Sequence, residues 1–381
     1  MPLPVLNFTR DGIAPSANAC PAPPALVRLT EAGPEAWLVT RYDDCKAVLG
    51  DRRFLGTGTP PSNGPDLRPL LFRLAGWPGG PDGNRLRRLV TPVFTARNAE
   101  ALRASITGIA EDLLDAMTAA GGPADLVSAY TFPLPAKVIC ALFGIADDHI
   151  ADLARWSADL VKPPWLVSPE AADASLRALS DYFQFELHRK RLKPADDLLS
   201  TLGAADEPDE LLTGLAISLF IAGHETTTSQ LGYGILALLD APEQAALVRS
   251  SDAVAETAVE EIMRYYPINS EGVLRTAAED VEVGGAVIPS GSLVMVGGPA
   301  AMFDAELFPD PLRFDVTRTG APHLSFGHGA HYCIGSALAR VEMRIALPAL
   351  LRRFPNLRLD MDKVRMRQDA VSGPEELVVT W

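Results

Sequence analysis

"SFGHGAHYCIG", Ser325–Gly335, places one cysteine behind a run of glycine and histidine, just ahead of a helical pattern that starts at Ser336. A helix N-terminus offers unpaired N–H groups and a favourable dipole, so a sulfur there is stabilised as thiolate. Gly335 allows backbone amides to approach that sulfur, and Gly327 and Gly329 allow the loop to turn tightly beneath something flat. A soft thiolate in such a setting suits a metal. Two other readings fit the same residues: an inert buried thiol, and a zinc site drawing on His323, His328, His331 and Cys333.

A second stretch is equally unusual. Asp209–Pro242 begins with acids, ends before proline and is apolar on nearly every side, the pattern of a central core helix. About 30 residues at ~1.5 Å each span roughly 45 Å, the width of a domain. Yet its middle carries "AGHETT", Ala222–Thr227, and buried polar groups need partners or a purpose.

The bulk composition narrows the classes. The 381 residues are 48% hydrophobic, enough for a large core. A formal net charge of -14 lacks the basic footprint of a nucleic-acid binder. The four cysteines, Cys20, Cys45, Cys140 and Cys333, form no CxxC pair, so neither a disulfide framework nor an iron–sulfur cluster is expected. The N-terminal stretch has no secretory pattern, and the longest relevant apolar run, Leu211–Gly223, is shorter than the ~20 residues of a membrane span. A cytoplasmic protein without a membrane segment is the expectation.

Elsewhere, Ala36–Leu49 reads as strand, turn and helix. Ala99–Ala120 is helical in period, with Leu102, Ile106, Ile109, Leu113 and Met117 on one face. Val281–Val296 reads as two strands punctuated by glycine and proline, Leu307–Asp315 as a loop, and Ser336 to about Leu351 as a helix followed by short strands. No repeat or linker interrupts the chain. The expected fold is mostly α with a small β-rich portion, in a single domain over residues 1–381.

The loop Phe326–Gly335 resembles the haem-binding loop of the cytochrome P450 family, Phe-x-x-Gly-x-x-x-Cys-x-Gly, with Phe326, Gly329, Cys333 and Gly335 in its fixed places. The resemblance implies a long central helix over haem b, with Cys333 as the proximal thiolate ligand of the iron and His331 bonded to a propionate. "AGHETT" is similar to the family's oxygen-binding stretch. By that likeness Ala222 and Gly223 adjoin dioxygen, and Glu225 and Thr226 deliver protons. Thr226 can also bond the Ala222 carbonyl and loosen the helix there. Glu261 and Arg264 resemble two members of the family's structural triad, which Arg313 would complete. Arg87, beside Arg85 and Arg88, and Arg275 look like propionate arginines.

The implied reaction is monooxygenation of a small, largely apolar organic substrate by dioxygen, in bacterial secondary metabolism. Electrons would come from a separate soluble ferredoxin and its reductase, docking on basic residues such as Arg85, Arg88, Arg340 and Arg344. Oxidative coupling without oxygen insertion, and a non-catalytic haem sensor, are the alternatives. An apolar lid is expected from Leu70, Leu71, Phe72, Leu74 and Trp77, with Asn269 and Glu271 as polar substrate contacts. Gly83 stands where the family often has histidine, and Met302-Phe303 where soluble bacterial members often have Asn-Arg. These departures bear on haem seating and local loop structure.

Overall fold

A computed structural model of the chain describes residues 21–29, 33–56, 81–162, 166–268, 272–367 and 371–381; of residues 81–84 only the backbone is described. In chain order the elements begin with β1 (Ala25–Arg28), β2 (Glu35–Val39), α1 (Tyr42–Gly50), β3 (Phe54–Gly56), α2 (Pro81–Val90), α3 (Ala96–Ala101), α4 (Arg103–Ala120) and β4 (Ala124–Asp125). There follow α5 (Pro133–Phe143), α6 (Ile150–Val161), α7 (Pro169–Leu192), α8 (Leu198–Gly203), α9 (Asp209–Asp240), α10 (Pro242–Ser250) and α11 (Asp252–Tyr265). The last are β5 (Val273–Ala277), β6 (Val281–Val283), β7 (Ala286–Ile288), β8 (Leu293–Val296), α12 (Gly298–Ala301), α13 (Ser336–Arg353), β9 (Arg358–Leu359), β10 (Arg365–Met366), β11 (Pro374–Glu376) and β12 (Val378–Thr380). The architecture is mostly helical with small sheets, as the sequence led one to expect. No helix among the described residues is long and apolar enough to cross a membrane.

The contacts sort into two compact units, Met1–Asn63 with Glu256–Cys333, and Gly64–Ala255 with Ile334–Trp381. The first is built on a five-stranded sheet of order β1-β2-β8-β5-β3. Only the β2–β8 pair is parallel. Helix α1 buries Tyr42, Cys45, Val48 and Leu49, which recur at helical spacing, in a core shared with Val39, Phe54, Val294 and Val296 of the sheet. The stretch expected as two strands holds three. Gly284 and Gly285, at φ 55° and 83°, make the two-residue turn of a β6–β7 hairpin, and β8 begins only after a second turn at Gly291.

The spine of the second unit is α9, whose 32 residues at ~1.5 Å each run roughly 48 Å. It packs against α5, α7 and α13, and its Phe220 meets Phe143 and Phe183 with ring centroids 6.4 and 5.8 Å away. The buried face of α4 is Ile106, Ala110, Leu114 and Met117, one step round from the expected Ile109 and Leu113, which are half-buried. The helix breaks at Leu102, between α3 and α4, and that resets the phase. Near the C-terminus, β10 and β11 pair, and β11 lies against α9. A Cβ on Gly373 would come within 2.6 Å of the Ser229 side chain, so only glycine admits this approach.

Candidate active site

The candidate residues divide between the two units, and each group is built in its own. In the first, the cysteine loop folds back on itself. The Cys333 amide donates to the Phe326 carbonyl at 2.8 Å, and the Gly327 amide to Leu324 at 2.7 Å. Gly327 and Gly329 both have positive φ, 73° and 70°. Any side chain at Gly329 would meet the Leu49 carbonyl at 2.7 Å, so α1 fixes the loop through a position open only to glycine. Phe326 stacks edgewise on Tyr332 and tilts against His323. The Cys333 side chain is exposed and in no disulfide. His331 is half-buried on the single turn Gly329–His331.

A zinc site is not assembled here. Among the described residues no three His, Cys, Asp or Glu side chains converge. His323 is engaged elsewhere, with Nε2 donating to Glu260 at 3.1 Å and Nδ1 accepting from the Ser325 amide.

Arg275 lies buried on β5. Among the described residues its guanidinium bonds only the Leu274 carbonyl, at 2.9 Å, and no carboxylate reaches it. Burial draws it below the ordinary arginine range. A buried cation without an anion is costly, so this position suits a ligand carboxylate such as a haem propionate. The exposed thiol, the glycine-built loop and this arginine fit the haem that the family carries.

The Glu261 pair is real, but its third member differs from the expectation. Glu261 takes Arg264 at 2.7 Å and Arg318 at 3.1 Å, with Glu261 fully buried. Arg313 points away, 68% exposed, its nearest acid Asp315 at 4.0 Å. Arg318 instead wraps the turn, donating also to the carbonyls of Pro309, Asp310 and Arg313. A turn at Asp310, with φ 48°, brings position 318 inward, and no helical or strand period announces it. The unusual pair Met302-Phe303 belongs to this network. The Met302 carbonyl accepts from Arg264 at 2.8 Å, and the Phe303 ring lies 5.4 Å from its guanidinium.

In the second unit, α9 is almost wholly buried between Leu212 and Leu238. The exceptions are Ser218, Ile221, Ala222, Gly223 and Thr226. Ser218, Ala222 and Thr226 stand four apart, an open stripe of small side chains. Thr226 Oγ1 donates to the Ala222 carbonyl at 2.7 Å, while the helix runs on unbroken. Gly223 faces Ile139 of α5, whose Cδ1 would lie 2.6 Å from an added Cβ. Its lack of a side chain therefore serves helix packing. Gly335 caps α13 with open space on its Cβ side. On α2, Arg85 pairs with Glu207 and Arg88 is exposed, leaving Arg87 half-buried. Gly83 lies in the same helix.

Glu225 is buried and doubly held. One oxygen lies 3.4 Å from His224 Nε2, the other 2.7 Å from an Arg367 guanidinium nitrogen. Burial pushes its carboxyl up, but the hydrogen bonds and charges of His224 and Arg367 outweigh that and hold it at about 2. Arg367 is invisible in sequence reasoning, since it follows α9 by more than a hundred residues in an unremarkable strand context. Glu342 was also missed: it lies fully buried on α13, and burial lifts its carboxyl well above the usual range. A signal existed, for Leu338, Val341, Glu342 and Ile345 share one helical face. The expected lid residues Leu70, Leu71, Phe72, Leu74 and Trp77, and Asn269 and Glu271, lie outside the described residues.

Comparison with known proteins agrees with this picture. The family model of cytochrome P450 matches residues 26–380. Mycinamicin IV hydroxylase/epoxidase of Micromonospora griseorubida is 40% identical, with 92% of this chain and 90% of that protein covered. Nocardicin C N-oxygenase of Nocardia uniformis subsp. tsuyamanensis is 38% identical, covering 99% and 97%. The crystal structure of the LnmA cytochrome P450 hydroxylase from the leinamycin pathway of Streptomyces atroolivaceus superposes with a TM-score of 0.90 at 34% identity, each chain covered in full. A cysteine loop built to one glycine pattern, a long helix with an acid–hydroxyl pair, and a match over nearly every residue converge, and this chain belongs to the cytochrome P450 family.

Proposed function

We propose that this chain, acting as one functional domain in the cytoplasm, hydroxylates a small, largely apolar organic substrate in bacterial secondary metabolism. It would do so with haem b bound through Cys333. The observation that carries the reading is the Cys333 loop, an exposed thiol on a backbone whose positive φ at 327 and 329 favours glycine and which has no room for a side chain at 329. Relatives named as a hydroxylase/epoxidase and an N-oxygenase support oxygen insertion as the outcome. Haem bound through Cys333 would supply oxygen activation, favoured by an electron-rich thiolate ligand.

The chain's own residues then have distinct tasks. Arg275, with His331 and Arg87, would hold the propionates. Ala222 and Thr226 keep the α9 stripe narrow and small-sided where dioxygen must fit. Gly223 contributes by letting α5 pack close. Thr226 offers a hydroxyl and Glu225 a carboxylate to pass protons, a role a passive sensor has no need of. The electron source would be a soluble ferredoxin with its reductase.

The test is the absorption spectrum of the reduced, carbon monoxide-bound protein. A strongly red-shifted main band is expected, and its loss in Cys333→Ala. A colourless reconstituted protein, or an unchanged spectrum in the variant, overturns the reading. For the relay, Thr226→Ala should lower product per electron by about tenfold or more while peroxide rises. Product mass separates hydroxylation, a gain of one oxygen, from coupling, a loss of hydrogens.

A further inference from the structure

We propose that His224 carries a proton on both ring nitrogens and serves as the proton store behind Glu225. The inference rests on reading Glu225 and Thr226 as the proton-handling pair, and it assigns the source from which that pair is fed. Its basis is a count of donors and acceptors around a ring that is wholly buried.

Nδ1 lies 2.8 Å from the Phe220 carbonyl, which can only accept, so Nδ1 carries a hydrogen. Nε2 faces two oxygens, Glu225 Oε1 at 3.4 Å and Ser157 Oγ at 3.1 Å. Ser157 Oγ also lies 3.0 Å from the Ala154 carbonyl, another pure acceptor. If the ring were neutral, the Ser157 proton would have to turn to Nε2. The Ala154 carbonyl would then keep only its helical donor, the Ala158 amide, and the nitrogen lone pair would face a carboxylate oxygen. With a second ring proton every group is satisfied: Nε2–H lies between Glu225 and Ser157, and Ser157 donates to Ala154. The rings of Phe220 and Phe132, centroids 4.7 and 6.0 Å away, enclose the imidazole.

The charged surroundings agree. Glu225 faces the ring from α9 itself, and Arg367 acts through Glu225 from the segment after β10; α6 contributes Ser157, and the residues before α5 contribute Phe132. Among the described residues no other charged side chain bonds the imidazole. Arg367 keeps its proton at any working pH, and Glu225 is held ionised, so neither can be the donor. In the transfer, the Nε2–H bond breaks and an O–H bond forms on Glu225 Oε1. The imidazolium becomes a neutral ring still bonded to Phe220 through Nδ1–H, and the carboxylate becomes a neutral acid. Solvent water restores the proton between turnovers. His224 is thus a positioning and supply residue acting through Glu225.

The test uses nitrogen-15 histidine in the ferrous, carbon monoxide-bound holoenzyme, which is diamagnetic. One imidazole should show two slowly exchanging N–H signals near neutral pH. That ring should be absent in His224→Gln and fall to a single N–H in Glu225→Gln. A neutral ring at position 224 in the wild-type protein overturns the proposal, and the wild-type spectrum decides this even if a variant fails to fold. In turnover, His224→Gln should keep the haem spectrum and substrate KM but lower product per electron on the order of tenfold. The wild-type decline of coupling as pH rises should be flattened. Wild-type coupling and pH profile in that variant would also overturn it. Failure of the underlying relay reading is read separately, as unchanged coupling in Thr226→Ala.

Discussion

At the scale of single residues, the decisive feature is a carboxylate kept ionised in the middle of an apolar helix. Glu225 sits near 2 where its ordinary value is 4.5, because hydrogen bonds and charge interactions with His224 and Arg367 outweigh burial. A lowered carboxylate stabilises the fold above 4.5 and loses that contribution as pH falls through about 2. The full effect is on the order of 3 kcal/mol, at about 1.4 kcal/mol per pH unit. Urea denaturation should therefore show wild type exceeding Glu225→Gln most at neutral pH, with the gap closing by about 1.4 kcal/mol per unit below 4.5. A gap that stays constant or widens on acidification would show that Glu225 is not so held. Sequence alone made Glu225 conspicuous, because an acid on an all-apolar helix stands out. It could not reveal Arg367, since ion pairing across such a separation leaves no periodic trace.

At the scale of elements, the turn after α12 and the crossing of α9 over α5 show what spacing conveys and what it omits. The Glu261–Arg264 pair was legible because three residues span nearly one helical turn. The family likeness points to Arg313, five residues short of the Arg318 that the structure places there, because irregular backbone has no period to count. Arg318→Ala leaves Glu261 its Arg264 partner but removes a second charge-assisted bond and three donors to the turn carbonyls, so it should cost about 1–3 kcal/mol. Arg313→Ala, at an exposed site, should stay within about 0.5 kcal/mol of wild type. Thermal melts of the two variants distinguish the assignments, and a reversed order would restore Arg313. Gly223 makes a similar case. An added methyl meets Ile139, so Gly223→Ala should destabilise by about 1–3 kcal/mol. Combining it with Ile139→Val should recover part of the loss, since the nearest clashing carbon, Cδ1, is gone. Additive costs in the double variant would place the strain elsewhere.

At the scale of the whole molecule, the fold class was readable from two short stretches, because a thiolate loop and an acid–hydroxyl pair on a long buried helix each demand many residues of support. The substrate was not readable in the same way, since pocket walls follow from side-chain volume and loop path, for which a linear sequence has no fixed spacing. Charge distribution lies between these cases. If its electrons come from an acidic ferredoxin, as proposed above, a chain of net charge -14 needs a local basic surface to overcome long-range repulsion. Of the four candidate arginines, Arg85 is already paired with Glu207, while Arg88 on α2 is exposed and Arg340 and Arg344 on α13 are half-buried. Under that proposal, Arg88 is the first candidate for docking, with Arg340 next. Arg88→Glu combined with Arg340→Glu should slow reduction by ferredoxin several-fold at low salt. The deficit should shrink as ionic strength rises and the Debye length falls from ~30 Å at 0.01 M to ~8 Å at 0.15 M. Reduction by dithionite, a small reductant needing no docking surface, should proceed at the wild-type rate. Equal ferredoxin rates in variant and wild type at low salt would move the docking surface off α2 and α13.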